Sequence, residues 1–374
     1  MNEGRRVRRL RTGVVGCGLV AQVMHLPYLR ELSEQFEVVA LCDLSPDSLS
    51  FASELHPRAK TFTNWEDVLG EPLDVVLVLV GGSHAPVAVA AAEAGLNVFV
   101  EKPMCVSPAE GREMVEGCKR AGVRLMVGYM KRYDPAYEEL AAHLDRGSVR
   151  FARITTLESP LEPYVAHYPL RRGAIDPDVA EALAVEDERR VEEAVGELAP
   201  HVRRVYRSIL LDSMIHELNA VRGLLGEPDS LLFADVWGGD HGVTATMRYG
   251  EAECVFSWID LPGIARYEQE LAFFSPDSRA RLIFPSPFLR SMPTRLVFEG
   301  GSNGTSASWR TEHVASYEEA FKRELLELHA AITEDREPRT PGTDGLRDVV
   351  LCRAIALAAH EARPRPRPTE LETA

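Results

Sequence analysis

Four groups of residues in this 374-residue chain have the types and spacing to do chemistry. Gly16-Cys17-Gly18-Leu19-Val20-Ala21 is a G-x-G-x-x-A run between a short apolar stretch and a helical one. Gly16 permits a tight turn, Gly18 lets backbone amides approach a pyrophosphate, and the helix amino terminus favours the anion. Asp43 follows the next apolar run, 25 residues after Gly18, where a carboxylate can accept hydrogen bonds from an adenosine ribose and repel a 2′-phosphate. No arginine follows it in Leu44-Ser45-Pro46-Asp47, so NAD is expected over NADP. Glu101-Lys102-Pro103 closes a later apolar run, and a lysine at that edge can hold a substrate oxygen while hydride moves. A cis peptide before Pro103 would help to aim it. Asp212 and His216 stand four apart, on one face of an expected helix, with the imidazole suited to general base work and the carboxylate able to orient it or to bind substrate.

Each group also has a plainer reading. The glycines could form a turn without a ligand, Asp43 an Asx turn, Lys102 a solvated strand end, and His216 a satisfied core or surface imidazole. A metal pair at Asp212 and His216 finds no third ligand at a telling spacing, so no metal is expected.

The elements that must position these groups follow from periodicity. Apolar runs at 13–15, 37–42, 75–80, 97–100 and 124–128 alternate with helical stretches, two of which, 85–94 and 108–121, end at Gly95 and Gly122. This predicts an α/β Rossmann domain with a doubly wound parallel sheet over residues 11–133, preceded by a basic arm, 1–10. Seven β-rich runs between 149 and 299 predict an α+β domain with a large, mainly antiparallel open sheet over 134–362, followed by a flexible tail, 363–374. Its helices are expected at 177–198, within an insertion spanning about 161–206, at 204–225, and at 316–332, where Ser316 and Glu319 match a capping box.

Composition narrows the partners. With 42 Lys+Arg against 57 Asp+Glu, the net charge of −15 argues against nucleic acid or an anionic membrane. No apolar run approaches the roughly 20 residues of a membrane helix. The six cysteines are scattered without a C-x-x-C pair, as in a reducing cytoplasm.

Taken together these residues resemble the Gfo/Idh/MocA oxidoreductases. The resemblance runs from about residue 12 to 360, outside the insertion. It is carried by the glycine run with His25-Leu26-Pro27, by AAEAGLNVFV leading into Glu101-Lys102-Pro103, by Val127-Gly128-Tyr129-Met130-Lys131-Arg132-Tyr133-Asp134-Pro135, by Asp212-x-x-x-His216, and by Ser316-Tyr317-Glu318-Glu319-Ala320-Phe321 and Thr343-Asp344-Gly345-Leu346-Arg347-Asp348. It implies an NAD(P)-dependent dehydrogenase or reductase of a sugar or cyclitol, working as a homo-oligomer (dimer or tetramer), with Lys102, Asp212 and His216 at the catalytic positions. Gly16, Gly18, Leu19, Val20, Asp43, His84, Glu101 and Lys102 are the expected cofactor contacts. A nucleotide-linked sugar as substrate, or a dinucleotide sensor without turnover, are the alternatives.

Three departures stand out. Leu79-Val80-Gly81-Gly82-Ser83 replaces the family's Thr-Pro-Asn approach to His84, Tyr206-Arg207-Ser208-Ile209 replaces a glycine-rich approach to the Asp-x-x-x-His helix, and Asn219 stands where an Asp often follows. The insertion, ending in Arg203, Arg204 and Arg207, could be a lid or an anion contact, or equally an oligomer contact or a solvated helix.

Overall fold

The structure, a computed structural model, describes residues 8–301, 304 and 306–361. Most of the basic arm and the whole tail therefore lie outside the described residues.

Six strands, β1 (Leu10–Val15), β2 (Phe36–Cys42), β3 (Lys60–Phe62), β4 (Val75–Val78), β5 (Asn97–Glu101) and β6 (Leu125–Gly128), form a parallel sheet in the order 3-2-1-4-5-6. Both faces are covered, so β4 is an unbroken apolar run. Val75 and Leu77 pack into one core and Val76 and Val78 into the other. Gly122 ends the helix Pro108–Ala121 in the left-handed region, and Ser107 with Glu110 caps its start reciprocally.

β7 (Phe151–Glu158), β8 (Ser230–Trp237), β9 (Gly242–Tyr249), β10 (Ala252–Asp260), β11 (Glu268–Phe274), β12 (Ser278–Phe284), β13 (Arg295–Gly301) and β14 (Ser308–Val314) form the second sheet, ordered 14-13-12-11-7-10-9-8. Every pair is antiparallel except β7 with β10, which run parallel.

The structure differs from the sequence reading in four places. β3 and β14 were not expected, because Lys-Thr-Phe is too short and Ser-Trp-Arg-Thr-Glu-His-Val too polar and exposed to stand out. The helix expected at 316–332 begins only at Ala320. Ser316 Oγ accepts from Glu318 N, and the Glu319 carboxylate accepts from Ser291 N, so the capping box does not form. That helix, Ala320–Thr333, packs with β1, β2 and the helix after the glycine run, so the chain crosses back to cover the first sheet. Finally, the helix expected at 204–225 is α over Pro200–Val205, π over Tyr206–Met214, and α again over Ile215–Leu225.

Candidate active site

The glycine turn is shaped for a close approach on two sides. Gly16 has φ +100°, and a Cβ there would stand 2.6 Å from the Leu79 carbonyl carbon, so only glycine fits against the end of β4. At Gly18 no atom lies within 4 Å of the corresponding position, and the residue is exposed. The turn therefore offers an open cradle at the start of a helix whose first amides lack intrahelical acceptors, a fit for a pyrophosphate.

Asp43 takes part in holding this turn. One carboxylate oxygen accepts from Cys17 N at 2.6 Å and the other from Ser45 N at 2.7 Å. The Asx turn and the clamp on the glycine run thus coexist in one side chain beside the cradle.

The Lys102–Pro103 peptide is cis. His84 braces it, with one ring nitrogen 2.7 Å from Pro103 O and the other 2.9 Å from Val80 O. The ring is buried, and burial lowers its pKa. The ring nitrogens of His84, an expected cofactor contact, face main-chain carbonyls at the end of β4 and in the Lys102 loop, and a neutral imidazole donates its single N–H to one of them. Glu101 pairs with buried His25 at 2.6 Å and also accepts from Lys102 N at 3.1 Å. Burial pushes the Glu101 carboxyl up, but His25 and Lys102 outweigh it and hold it low.

Lys102, Asp212 and His216 line one cavity of about 500 Å³, whose wall also includes Leu19 and Val20 from the helix that follows the glycine turn. Lys102 Nζ lies 3.2 Å from Asp212 Oδ1 and also donates to the Asp212 main-chain oxygen. The π winding matters here. An α-turn commits each carbonyl to an amide four residues on, whereas in this segment Ile215 N bonds to Leu210 O and the Asp212 carbonyl faces a lysine.

His216 has a buried Nδ1 without a hydrogen-bond partner among the described residues. Desolvation first, and then the ammonium groups of Lys102 and Lys131, hold its pKa well below the ordinary imidazole value. The ring is therefore neutral near pH 7, as a proton acceptor must be. On the same segment Leu211, Ile215 and Leu218 are buried in the core, and Leu225 at its end is half-buried.

Several residues of this site carried no sequence signal of their own. Lys131 is buried, 3.8 Å from Glu217, and its pKa is lowered by burial against the pull of Glu217. Thr156 donates to Glu217 at 2.8 Å, and Trp258 donates to Ser213 at 2.9 Å. Lys131 stood inside a quoted motif, but nothing in the spacing indicated that β12 and the 215–225 helix would enclose it. Asn219 faces inward, donating to Asp344 at 2.8 Å and Asp348 at 2.7 Å, which makes it structural and not a substrate contact. Arg203, Arg204 and Arg207 pair with Glu188, Asp240 and Asp187, so the chain's own carboxylates already engage all three. Among the described residues no three His, Cys, Asp or Glu side chains gather as metal ligands, and no helix is long and apolar enough to cross a membrane.

Residues 10–129 match the family model described as oxidoreductase family, NAD-binding Rossmann fold. The chain is similar to inositol 2-dehydrogenase of Salmonella typhimurium, with 34% identity over 145 residues, 37% of this chain and 43% of that protein. The match thus spans less than half of that relative's length. D-apiose dehydrogenase of Paraburkholderia graminis aligns over 96% of this chain and 89% of its own length at 26% identity. Among solved structures, UDP-N-acetylglucosamine 3-dehydrogenase from Acidithiobacillus ferrooxidans shares the fold, with a TM-score of 0.71 at 18% identity, covering 94% of this chain and 98% of that one. The family model thus matches the nucleotide-binding domain, and the similarity to D-apiose dehydrogenase runs on through nearly the whole chain.

Proposed function

We propose that this protein is an NAD(P)-dependent oxidoreductase that interconverts a secondary alcohol and a ketone on a sugar or cyclitol. The carrying observation is the convergence of Lys102, Asp212 and a neutral His216 on one cavity beside the open glycine turn. Nicotinamide, when bound, supplies the acceptor or donor of hydride. The chain's own residues do the rest. Lys102, held by Asp212, sets its ammonium against the substrate oxygen and favours the alkoxide. His216 takes the hydroxyl proton during oxidation and returns it during reduction. Buried Lys131 adds positive potential to the same wall. The direct test is absorbance at 340 nm with a panel of polyols, sugars and keto sugars. Turnover of at least one of them is expected, and NADH binding with no turnover of any would favour a sensor.

The depressed His216 pKa has a definite pH consequence. The acid limb of kcat/KM for oxidation should fall below the ordinary histidine value of about 6.5, because the imidazole stays unprotonated further into acid. A limb at or above that value would remove His216 as the base.

NAD is the preferred cofactor in this reading. Asp43→Ala should weaken NAD more than NADP, with some loss for both because the Cys17 amide loses its acceptor. An unchanged NAD to NADP ratio of dissociation constants would take Asp43 out of the ribose site.

A further inference from the structure

The insertion follows a path that its sequence does not suggest. It leaves β7 through the substrate cavity, where Leu161 and Tyr164 form part of the wall, and Tyr168 then donates to Phe288 O at 2.7 Å. At Arg171 it reaches the nucleotide edge of the first domain. Buried Gln22 grips the backbone of Arg171 with a pair of hydrogen bonds, Nε2 to Arg171 O at 2.9 Å and Arg171 N to Oε1 at 3.0 Å. The same Gln22 amide also donates to Cys17 O at 2.8 Å, inside the glycine turn. The Arg171 guanidinium spans to Glu54 at 2.6 Å and Ser50 at 2.9 Å on the next helix.

Two residues later the chain presses on the turn that follows Asp43. A Cβ at Gly173 would lie 2.5 Å from an Asp47 carboxylate oxygen and 2.6 Å from Ser45 Oγ, so any larger residue must displace these two side chains. The helix Pro177–Val195 then returns across the end of β4. Asp187 stands 3.6 Å from the point where a Gly82 Cβ would be, and Arg190 pairs with Glu110, which also accepts from Ser83 at 2.7 Å. One segment therefore touches the substrate cavity, the glycine turn, the turn after Asp43 and the turn after β4.

We propose that residues 161–190 are a strap closing over the dinucleotide, with Gln22 and Gly173 as the positioning residues that pin it, so that strap opening limits cofactor exchange. This rests on the dinucleotide reading above. Pinning at the glycine turn and at the turn after Asp43 brackets the pyrophosphate and adenosine half, while the return helix flanks the nicotinamide half. A ligand lying along that edge leaves only when these contacts break.

The test measures NADH release directly. In a stopped-flow chase monitored by nicotinamide fluorescence, Gly173→Val, which crowds the Asp47 and Ser45 side chains against the strap, should release NADH about tenfold faster than the unaltered protein, as should Gln22→Ala, which removes two net hydrogen bonds to the strap. Gly173 lies outside both cores, so its variant remains informative if Gln22→Ala perturbs the glycine turn. Brief trypsin digestion supplies a second readout, since NADH should protect the bonds after Arg171 and Arg172, scored by fragment mass. Unchanged release rates in Gly173→Val with normal NADH binding, or NADH-accelerated cleavage at those arginines, would overturn the strap. Failure of the unaltered protein to bind NADH at all would instead overturn the dinucleotide reading, and the strap's role with it.

Discussion

His216→Ala should lower kcat for alcohol oxidation by about 10²–10⁴-fold while NADH affinity changes by no more than about threefold. The asymmetry follows from placement. The ring lies on the second-domain wall of the cavity and is kept neutral by burial and by two ammonium groups, whereas the proposed pyrophosphate cradle is the Gly16–Gly18 turn after β1. Lys102→Ala should cost about 10²–10³-fold, the range for removing a donor aimed at developing oxyanion charge. It should also release Asp212, which is 70% exposed at its side chain and has Lys102 as its ion-pair partner. Steady-state kinetics at saturating cofactor, beside fluorescence titration with NADH, separates the two quantities. Parallel loss of binding and turnover in both variants would mean that these residues hold the cofactor and do not act on the substrate.

The largest stability effect is expected away from the cavity. Arg222 is 4% exposed and pairs with Asp348 at 2.5 Å, Asp344 at 2.9 Å and Glu227 at 2.6 Å. Asp348 is fully buried, its pKa pushed up to about 7 chiefly by desolvation and partly opposed by Arg222. Asn219 donates to both aspartates, tying the 215–225 helix to the helix Gly342–Glu361. Arg222→Ala removes the cation from this cluster and leaves carboxylates that must be neutralised or solvated, at a cost of about 3–5 kcal/mol. Urea unfolding of the variant reads this as a shift in midpoint. Arg222→Met with Asp348→Leu should recover most of the loss, because replacing both partners removes the uncompensated charge along with the attraction. A loss below about 1 kcal/mol in the single variant would show that the cluster is solvated in the folded protein.

The first domain was largely legible because its signals are local. Each of the five expected strands is present, since a parallel sheet buried on both faces needs continuous apolar runs and these stand out against the polar helical surfaces between them. Gly16, Gly122 and Gly95 could be placed from sequence because a positive φ is a property of one residue and its neighbours. The β-rich character of the second domain was also readable. The parallel pairing of β7 with β10 was not, because strands about 100 residues apart carry no mark of who pairs with whom.

The site divides along the same line. Chemistry-bearing residue types and their local frames were written into the chain: a glycine run, a lysine at a strand end, and a carboxylate and an imidazole four apart. The tertiary structure alone decided four further things. It wound Tyr206–Met214 as a π segment and brought Lys102 onto the Asp212 carbonyl, and it buried Lys131 against Glu217. It turned Asn219 inward and laid the insertion along the nucleotide edge. The reason is physical: turn conformations and periodic faces are set by neighbours in sequence, whereas desolvation, a charge's partner and the packing of one segment on another depend on residues up to a hundred or more positions away, brought together only when the cores close.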